Sequence, residues 1–322
     1  MLFYAHFHHP SLSRDDLILT GKKAQRAIKK VQRDLRTKFE NGEPFFSKDA
    51  IRDVRDQLRQ STETGHKITV RGLNNMPIDF ILATGDICPR IVDDSSDDDD
   101  NEDDENSENG DVKHILTNPC IRYRTLQALL DYPKPLIDMH SAYCNMQIAH
   151  HSVLKNKFTG KILDGSDAIP PSKKFAKRFF EKNLRTWKDG QQCQSLLSIL
   201  KAKQDYFKNG GVSNIISFGS GTFTANVRSD WKTHSTFQHA SLLTLRDFLR
   251  EVLGDTNDTK ILAQDPAYIQ RDKDILTEQG ITILEDPDGF LELDDRSIVF
   301  SCAPTGTNHA DCDGSVSAID AC

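Results

Sequence analysis

Four short apolar runs, "SNIISF" (213–218), "KILAQDP" (260–266), "ITILED" (281–286) and "SIVFSCAP" (297–304), are held apart by two segments with helical periodicity and one turn. This is the feature that most limits what the chain can become. Strands that alternate with helices cannot pair as hairpins; they need right-handed crossovers and lie parallel in one sheet. The predicted fold class is therefore α/β: a Rossmann-like, mostly parallel sheet with flanking helices. Ile215, Leu262, Ile283 and Val299 are placed near the strand centres.

The connecting segments fit that scheme. "STFQHASLLTLRDFLREVLG" (235–254) carries Phe237, Leu245, Phe248, Leu249, Val252 and Leu253 as an apolar stripe, with Ser235 as its predicted N-cap after a polar loop of about a dozen residues. "AYIQRDKDILTEQG" (267–280) reads as the next helix, and Pro287 to Gly289 as a turn. Upstream, "SKKFAKRFFEKNLRTW" and "QCQSLLSILKAKQDYF" read as two amphipathic helices stopped by Asn209-Gly210-Gly211.

In an open parallel sheet, ligands collect beyond the carboxyl ends of the strands. Gly219, Gly221, Asp265, Glu285 and Asp286 all fall there. The stretch Gly219-Ser220-Gly221 is either a phosphate cradle or a tight turn, since glycine permits both positive φ and close backbone approach. Asp265 suits a ribose hydroxyl or, before Pro266, a turn that starts the next helix. His239 is a candidate acid or base, against a surface or half-buried helix position. The dinucleotide fingerprint G-x-G-x-x-G is incomplete because Thr224 stands where the third glycine belongs.

The remainder predicts a helix-plus-strand region over 1–92, an acidic loop over 93–111, a connecting region of no defined pattern over 112–170, the α/β domain over 171–310 and an irregular tail over 311–322. A basic amphipathic helix is expected from about Thr20, with Ile28, Val31 and Leu35 inward. Its surface suits an acidic partner, nucleic acid or plain solvation, and the lack of interleaved aromatics argues against nucleic acid. Ser47 is placed as the N-cap of a helix in "KDAIRDVRDQLRQ", followed by strands in "HKITVRGL" and "IDFILAT".

Charge is distributed unevenly. Residues 93–111 hold twelve acids and no base; the other thirty-six acids face forty-one Lys and Arg, so the rest of the chain is at +5 although the whole is at −7. Such a run cannot bury enough apolar surface to order itself, and a disordered loop is predicted. Ser95 and Ser96 each have an acid three residues on, as an acidophilic Ser/Thr kinase requires. No apolar run reaches the roughly 20 residues that span a bilayer, and the start "MLFYAHFHHP" lacks the basic n-region of a secretory leader. Seven scattered cysteines indicate reduced thiols in cytoplasm or nucleus. The spacing of Cys302, Cys312 and Cys322 beside His309 offers none of the close pairs of zinc sites, and neither His6, His8 and His9 nor the adjacent His150 and His151 form a ligand set, so no metal is expected.

From Trp187 to Pro304 the order of segments resembles the SRR1-like family, named for sensitivity to red light reduced. The resemblance rests on "IISFGSGTF", "FQHASLLTLRDFL", "AQDPAYIQRDKDILTEQGITILED" and "SIVFSCAP", in which Gln238, Leu242, Leu243, Asp265, Pro266, Gly280 and Leu284 occupy the family's places. "FSKDAIRDVRDQLRQ" is similar to the N-terminal part of fungal members. A departure follows the last strand, where "TGTNHADCDGSVSAIDAC" replaces the family's further segment; Val299 and Phe300 are then expected to be less buried. The resemblance implies a regulatory protein without an assigned reaction, its relatives being linked to light signalling, circadian regulation and haem metabolism. No G-x-S-x-G, H-E-x-x-H or G-K-[ST] motif is present, so no catalytic residues are assigned. The leading expectation is a cytoplasmic or nuclear regulatory protein that acts through partner or ligand binding, with a protein partner expected. The alternative is a nucleotide- or S-adenosylmethionine-binding enzyme or sensor that uses Gly219, Gly221, Gln238, His239, Asp265 and Glu285, with the cofactor unassigned.

Overall fold

Ile215, Ile216, Ser217 and Phe218 are all buried on one of the two interior strands of a four-stranded parallel sheet. In the computed structural model, residues 5–7, 18–19, 21–87, 112–131, 137–138, 141–160, 171–225, 229–254 and 259–301 are described. They divide into two units, one up to Gly160 and one from Pro171 onward. The acidic run with Ser95 and Ser96, Cys302 to Cys322, and the termini with His8 and His9 lie outside the described residues.

The first unit comprises β1 (Ala5–Phe7), β2 (Ile18–Leu19), α1 (Gly21–Glu40), α2 (Lys48–Gln60), β3 (Lys67–Arg71), β4 (Pro77–Ile81), β5 (Val112–Tyr123), α3 (Leu126–Asp131), β6 (Ile137–Asp138) and β7 (Met146–Asn156). Helix α1 buries Ala24, Val31 and Leu35 against Leu129, Ala142 and Tyr143. Tyr143 donates its hydroxyl to Asp34 at 2.8 Å, and burial together with that carboxylate pushes the phenol up. Ser47 caps α2 as predicted, accepting from the Ala50 N–H at 3.2 Å. One turn from the end of α2, the Gln57 side chain both accepts from the Thr69 N–H and donates to the Thr69 carbonyl. It satisfies the backbone of β3 as a neighbouring strand would.

Residues 112–156, where the sequence shows no clear pattern, contain the largest pairing in this unit. Strands β5 and β7 run antiparallel from Val112↔Asn156 to Tyr123↔Met146, with a register shift between Leu116 and Pro119, and β1 pairs the other side of β7. Proline lacks a donor, and the bulge accommodates Pro119 within the strand. His150 and His151 point to opposite faces. His150 is buried, donates through Nδ1 to the Thr117 carbonyl at 2.7 Å and accepts the Ala83 N–H at Nε2.

The second unit comprises α4 (Lys173–Asp189), α5 (Gln191–Ala202), α6 (Gln204–Gly210), β8 (Asn214–Phe218), α7 (Ser229–Leu253), β9 (Lys260–Gln264), α8 (Gln270–Glu278), β10 (Ile281–Leu284), α9 (Asp288–Glu292) and β11 (Ser297–Ser301). The order β10-β9-β8-β11 is parallel throughout. It starts at β8, steps outward twice and then returns to the other side of β8, as in the first four strands of a doubly wound sheet. The α/β class and the parallel sheet are as the sequence predicts.

Alternating side chains divide the core in two. Ile215, Ile261 and Ala263 join α4, α5, α7 and α8 in one large cluster. Ile216, Phe218 and Leu262 face α9, where Phe218 stacks on Phe290 with ring centroids 4.7 Å apart. Val299, opposite Ile216, is 47% exposed on this thinly covered face, and Phe300 is half-buried.

Three local expectations are corrected. Helix α7 starts at Ser229, so Ser235 lies within it and is not its cap. Residues Pro287–Gly289 lead into the short helix α9, anchored by the Gly289 N–H donating to the Gln264 side chain at 2.7 Å. Helix α8 begins three residues later than predicted, because Asp265 to Ile269 form a turn held by side-chain carboxylates.

Candidate functional site: the strand ends of β8 and β9

At the end of β8 the chain reverses through Gly219 and Gly221, with φ of 68° and 74°. This left-handed backbone favours glycine at both. The surroundings of the two differ. A Cβ on Gly219 would meet nothing within 4 Å, whereas one on Gly221 would stand 2.6 Å from the Ser235 Oγ. Gly221 is therefore required by close packing on the flank of α7, and Gly219 by the turn alone.

Asp265 closes the turn from the neighbouring strand. One carboxylate oxygen accepts the Gly221 N–H and the other accepts the Ala267 N–H at 2.8 Å. Burial raises its pKa, the two N–H donors oppose the rise, and the nearby charge of Asp272 adds to it. Both oxygens are thus held by the protein's own backbone.

Asp272 is the hub of the region. Fully buried near the start of α8, it accepts from the Thr222 hydroxyl (2.6 Å), the Phe223 N–H (3.2 Å), the Thr224 N–H (3.0 Å), the Thr224 hydroxyl (2.7 Å) and the Ile269 N–H (3.0 Å). A buried carboxylate is stable only when its lone pairs are filled in this way. Thr224, standing where a dinucleotide fingerprint has glycine, uses its side chain to anchor the loop. That accounts for the broken motif.

His239 faces the same loop from α7. Its Nδ1 lies 2.6 Å from the Ser235 carbonyl and its Nε2 2.7 Å from the Tyr268 hydroxyl. A carbonyl can only accept, so Nδ1 carries the proton and Nε2 accepts from Tyr268. Tyr268 in turn bonds Ser220, which lies 2.5 Å from the Ser217 hydroxyl. Burial pushes His239 down to about 4 and Tyr268 up. The expectation of a surface or half-buried histidine is corrected: His239 is fully buried, three turns into α7, and both its nitrogens are engaged.

The structure thus brings together Gly219, Gly221, Asp265 and His239, the last through Tyr268 and Ser220. It does not bring in Gln238 or Glu285. Gln238 is half-buried on α7, turned about 100° from His239, and Glu285 is exposed and paired with Lys273 at 2.6 Å. Asp286 accepts from Gln264 at 2.8 Å, which joins the ends of β9 and β10. Sequence reasoning missed Asp272, Tyr268, Ser220 and Gln264. The available signal was Asp272 at the third position of its helix, where an acid reaches back to the N-cap N–H. Among the described residues no group of three or more His, Cys, Asp or Glu is placed to hold a metal ion, and no helix is long and apolar enough to cross a membrane.

The family model of the SRR1 domain matches residues 193–305, from α5 through β11. No curated protein and no solved structure matches the chain.

Proposed function

Because residues 193–305 carry an SRR1 domain, we propose that this chain is an SRR1-like regulatory protein that acts by holding a protein partner, not by chemistry at its strand ends. One observation carries the reading. The polar groups where a ligand would be expected already satisfy one another: Gly221 with Asp265, Asp272 with five donors, and His239 with Ser235 and Tyr268. A general acid or base needs a free nitrogen or oxygen within reach of a substrate, and His239 has neither solvent contact nor a free nitrogen. The setting we propose is cytoplasmic or nuclear signalling of the light, circadian or haem-related kind, with Ser95 and Ser96 as phosphorylation sites.

A second reading, a nucleotide or S-adenosylmethionine sensor, is favoured by Gly219 alone. It is exposed, and the space where its Cβ would stand is empty. Thermal unfolding of the full chain with NAD(H), NADP(H), S-adenosylmethionine, ATP, GTP and haem distinguishes the two. A ligand at 100 times its dissociation constant stabilises by about 2.7 kcal/mol. The partner reading expects no shift. A shift that Gly219→Val removes while the protein stays folded overturns it in favour of the sensor. Gly221→Arg is not a usable control, because its Cβ alone would collide with Ser235.

A further inference from the structure

Helix α1 is cationic along one side and apolar along the other. Lys22, Lys23, Arg26, Lys29, Lys30 and Arg33 are exposed, Arg36 continues the row, and none of these seven forms an ion pair among the described residues. At about 100° per residue they fall within an arc of about 140°, opposite Ala24, Val31 and Leu35, over a length of about 21 Å. The acids of the helix do not neutralise them: Asp34 is held by Tyr143, and Glu40 is the last residue.

This arrangement is unfavourable by itself. Like charges at i, i+3 and i+4, such as Lys22 with Arg26 and Lys29 with Arg33, repel. Lys22 and Lys23 also occupy a first turn that contains no acid, where the helix dipole disfavours cations. An anionic occupant relieves both effects.

We propose that the cationic face of α1 is the docking surface for an acidic polypeptide, and that its occupant is the chain's own segment 93–111. Twelve acids without a base match seven cations without an ion-pair partner among the described residues. The segment is carried between Ile87, which pairs with Ile115, and Val112, the first residue of β5, both in the unit that contains α1. Half of the intervening stretch 88–111 reaches about 40 Å when extended, against a radius of gyration of about 15 Å for a unit of this size. A tether this short holds the acids at an effective concentration in the millimolar range. A nucleic acid must compete with that concentration, and the cationic face offers no aromatic side chain for base stacking.

Carbodiimide crosslinking of the full chain, followed by peptide mapping, tests this. At about 20 mM salt, crosslinks from 93–111 should concentrate on Lys22, Lys23, Lys29 and Lys30, persist on dilution and disappear at about 0.5 M salt, where screening acts within a few ångströms. A variant with the twelve acids changed to Asn or Gln, at unchanged length, should bind a mixed-sequence single-stranded oligonucleotide at least about tenfold tighter than the native chain. Lys29→Glu with Lys30→Glu and Arg33→Glu, all exposed, should cancel the gain; a circular dichroism melt verifies folding. Crosslinks absent from α1, or spread over all exposed lysines, overturn the proposal. So do crosslinks that form only between differently labelled copies, and equal oligonucleotide binding by native and neutralised chains.

Discussion

The backbone N–H of Gly221 donates to the carboxylate of Asp265, 44 positions further on. The bond joins the turn after β8 to the turn after β9, so the two strand ends are fixed relative to each other. Asp265→Asn puts an amide NH2 against one of two N–H donors, and only one can then be satisfied. A loss of about 1–3 kcal/mol is expected in denaturant titration. Asp265 also acts on the pH profile. Its folded pKa is raised, so the native state holds the proton more tightly and stability falls as pH rises above 3.8 toward the folded value; the variant removes this component.

His239 acts with the opposite sign. Its folded value is about 4 against 6.5 unfolded, so the unfolded chain binds the proton first as pH falls. The stabilisation is fully present above pH 6.5 and is lost between 6.5 and about 4; it amounts to about 3 kcal/mol. Stability measured by urea unfolding across that range should drop steeply in the native protein and less in His239→Gln.

Tyr268→Phe removes the donor to His239 Nε2 and the partner of Ser220 while keeping the ring. It should cost about 1–3 kcal/mol, the penalty of leaving buried polar atoms unpaired. Retention of native stability in this variant would show that the hydroxyl chain from Ser217 to His239 is dispensable.

Gly219→Ala and Gly221→Ala form a controlled pair. Both place a Cβ at positive φ, which costs about 1–2 kcal/mol. Only Gly221→Ala adds the contact at 2.6 Å with the Ser235 Oγ, so it should be the more destabilising. Combining it with Ser235→Gly should bring it back toward Gly219→Ala in thermal melts.

Asp272→Ala abandons three backbone N–H groups and two threonine hydroxyls in the interior. A loss of at least about 4 kcal/mol is expected, most of the stability of a domain at the low end of the usual range. Denaturant titration followed by far-ultraviolet circular dichroism measures it.

The second unit was legible because its signals are local. Strands β8 to β11 are continuous apolar runs, and the helices between them show their stripes within a single window. The network at the strand ends was not, because Asp272 in "QRDKDILTEQG" is indistinguishable from a solvated helix acid until Thr222 and Thr224 are folded against it. The β5–β7 pairing escaped for a related reason. Asn118-Pro119 reads as a break, and the partner strand lies beyond α3, so no local pattern announces the bulge that lets Pro119 stay in the sheet. The start of α7 was missed because its first two turns, "SDWKTHS", hold a single apolar residue, too few to show a stripe.

Strand β11 pairs with β8 from Ser297↔Asn214 to Ser301↔Phe218, so the first strand of the sheet to leave the ribosome receives its second neighbour last. Between synthesis of Phe218 and Ser301 the chain grows by 83 residues, about 4–17 s at 5–20 residues per second. Throughout that interval a strand whose five residues are all buried in the finished fold presents at least one unpaired edge, and both until β9 is made, the kind of surface that chaperones recognise and neighbouring nascent chains adhere to. The yield of this protein in a cell therefore depends on what shields Asn214–Phe218 during translation as well as on the stability of the completed sheet.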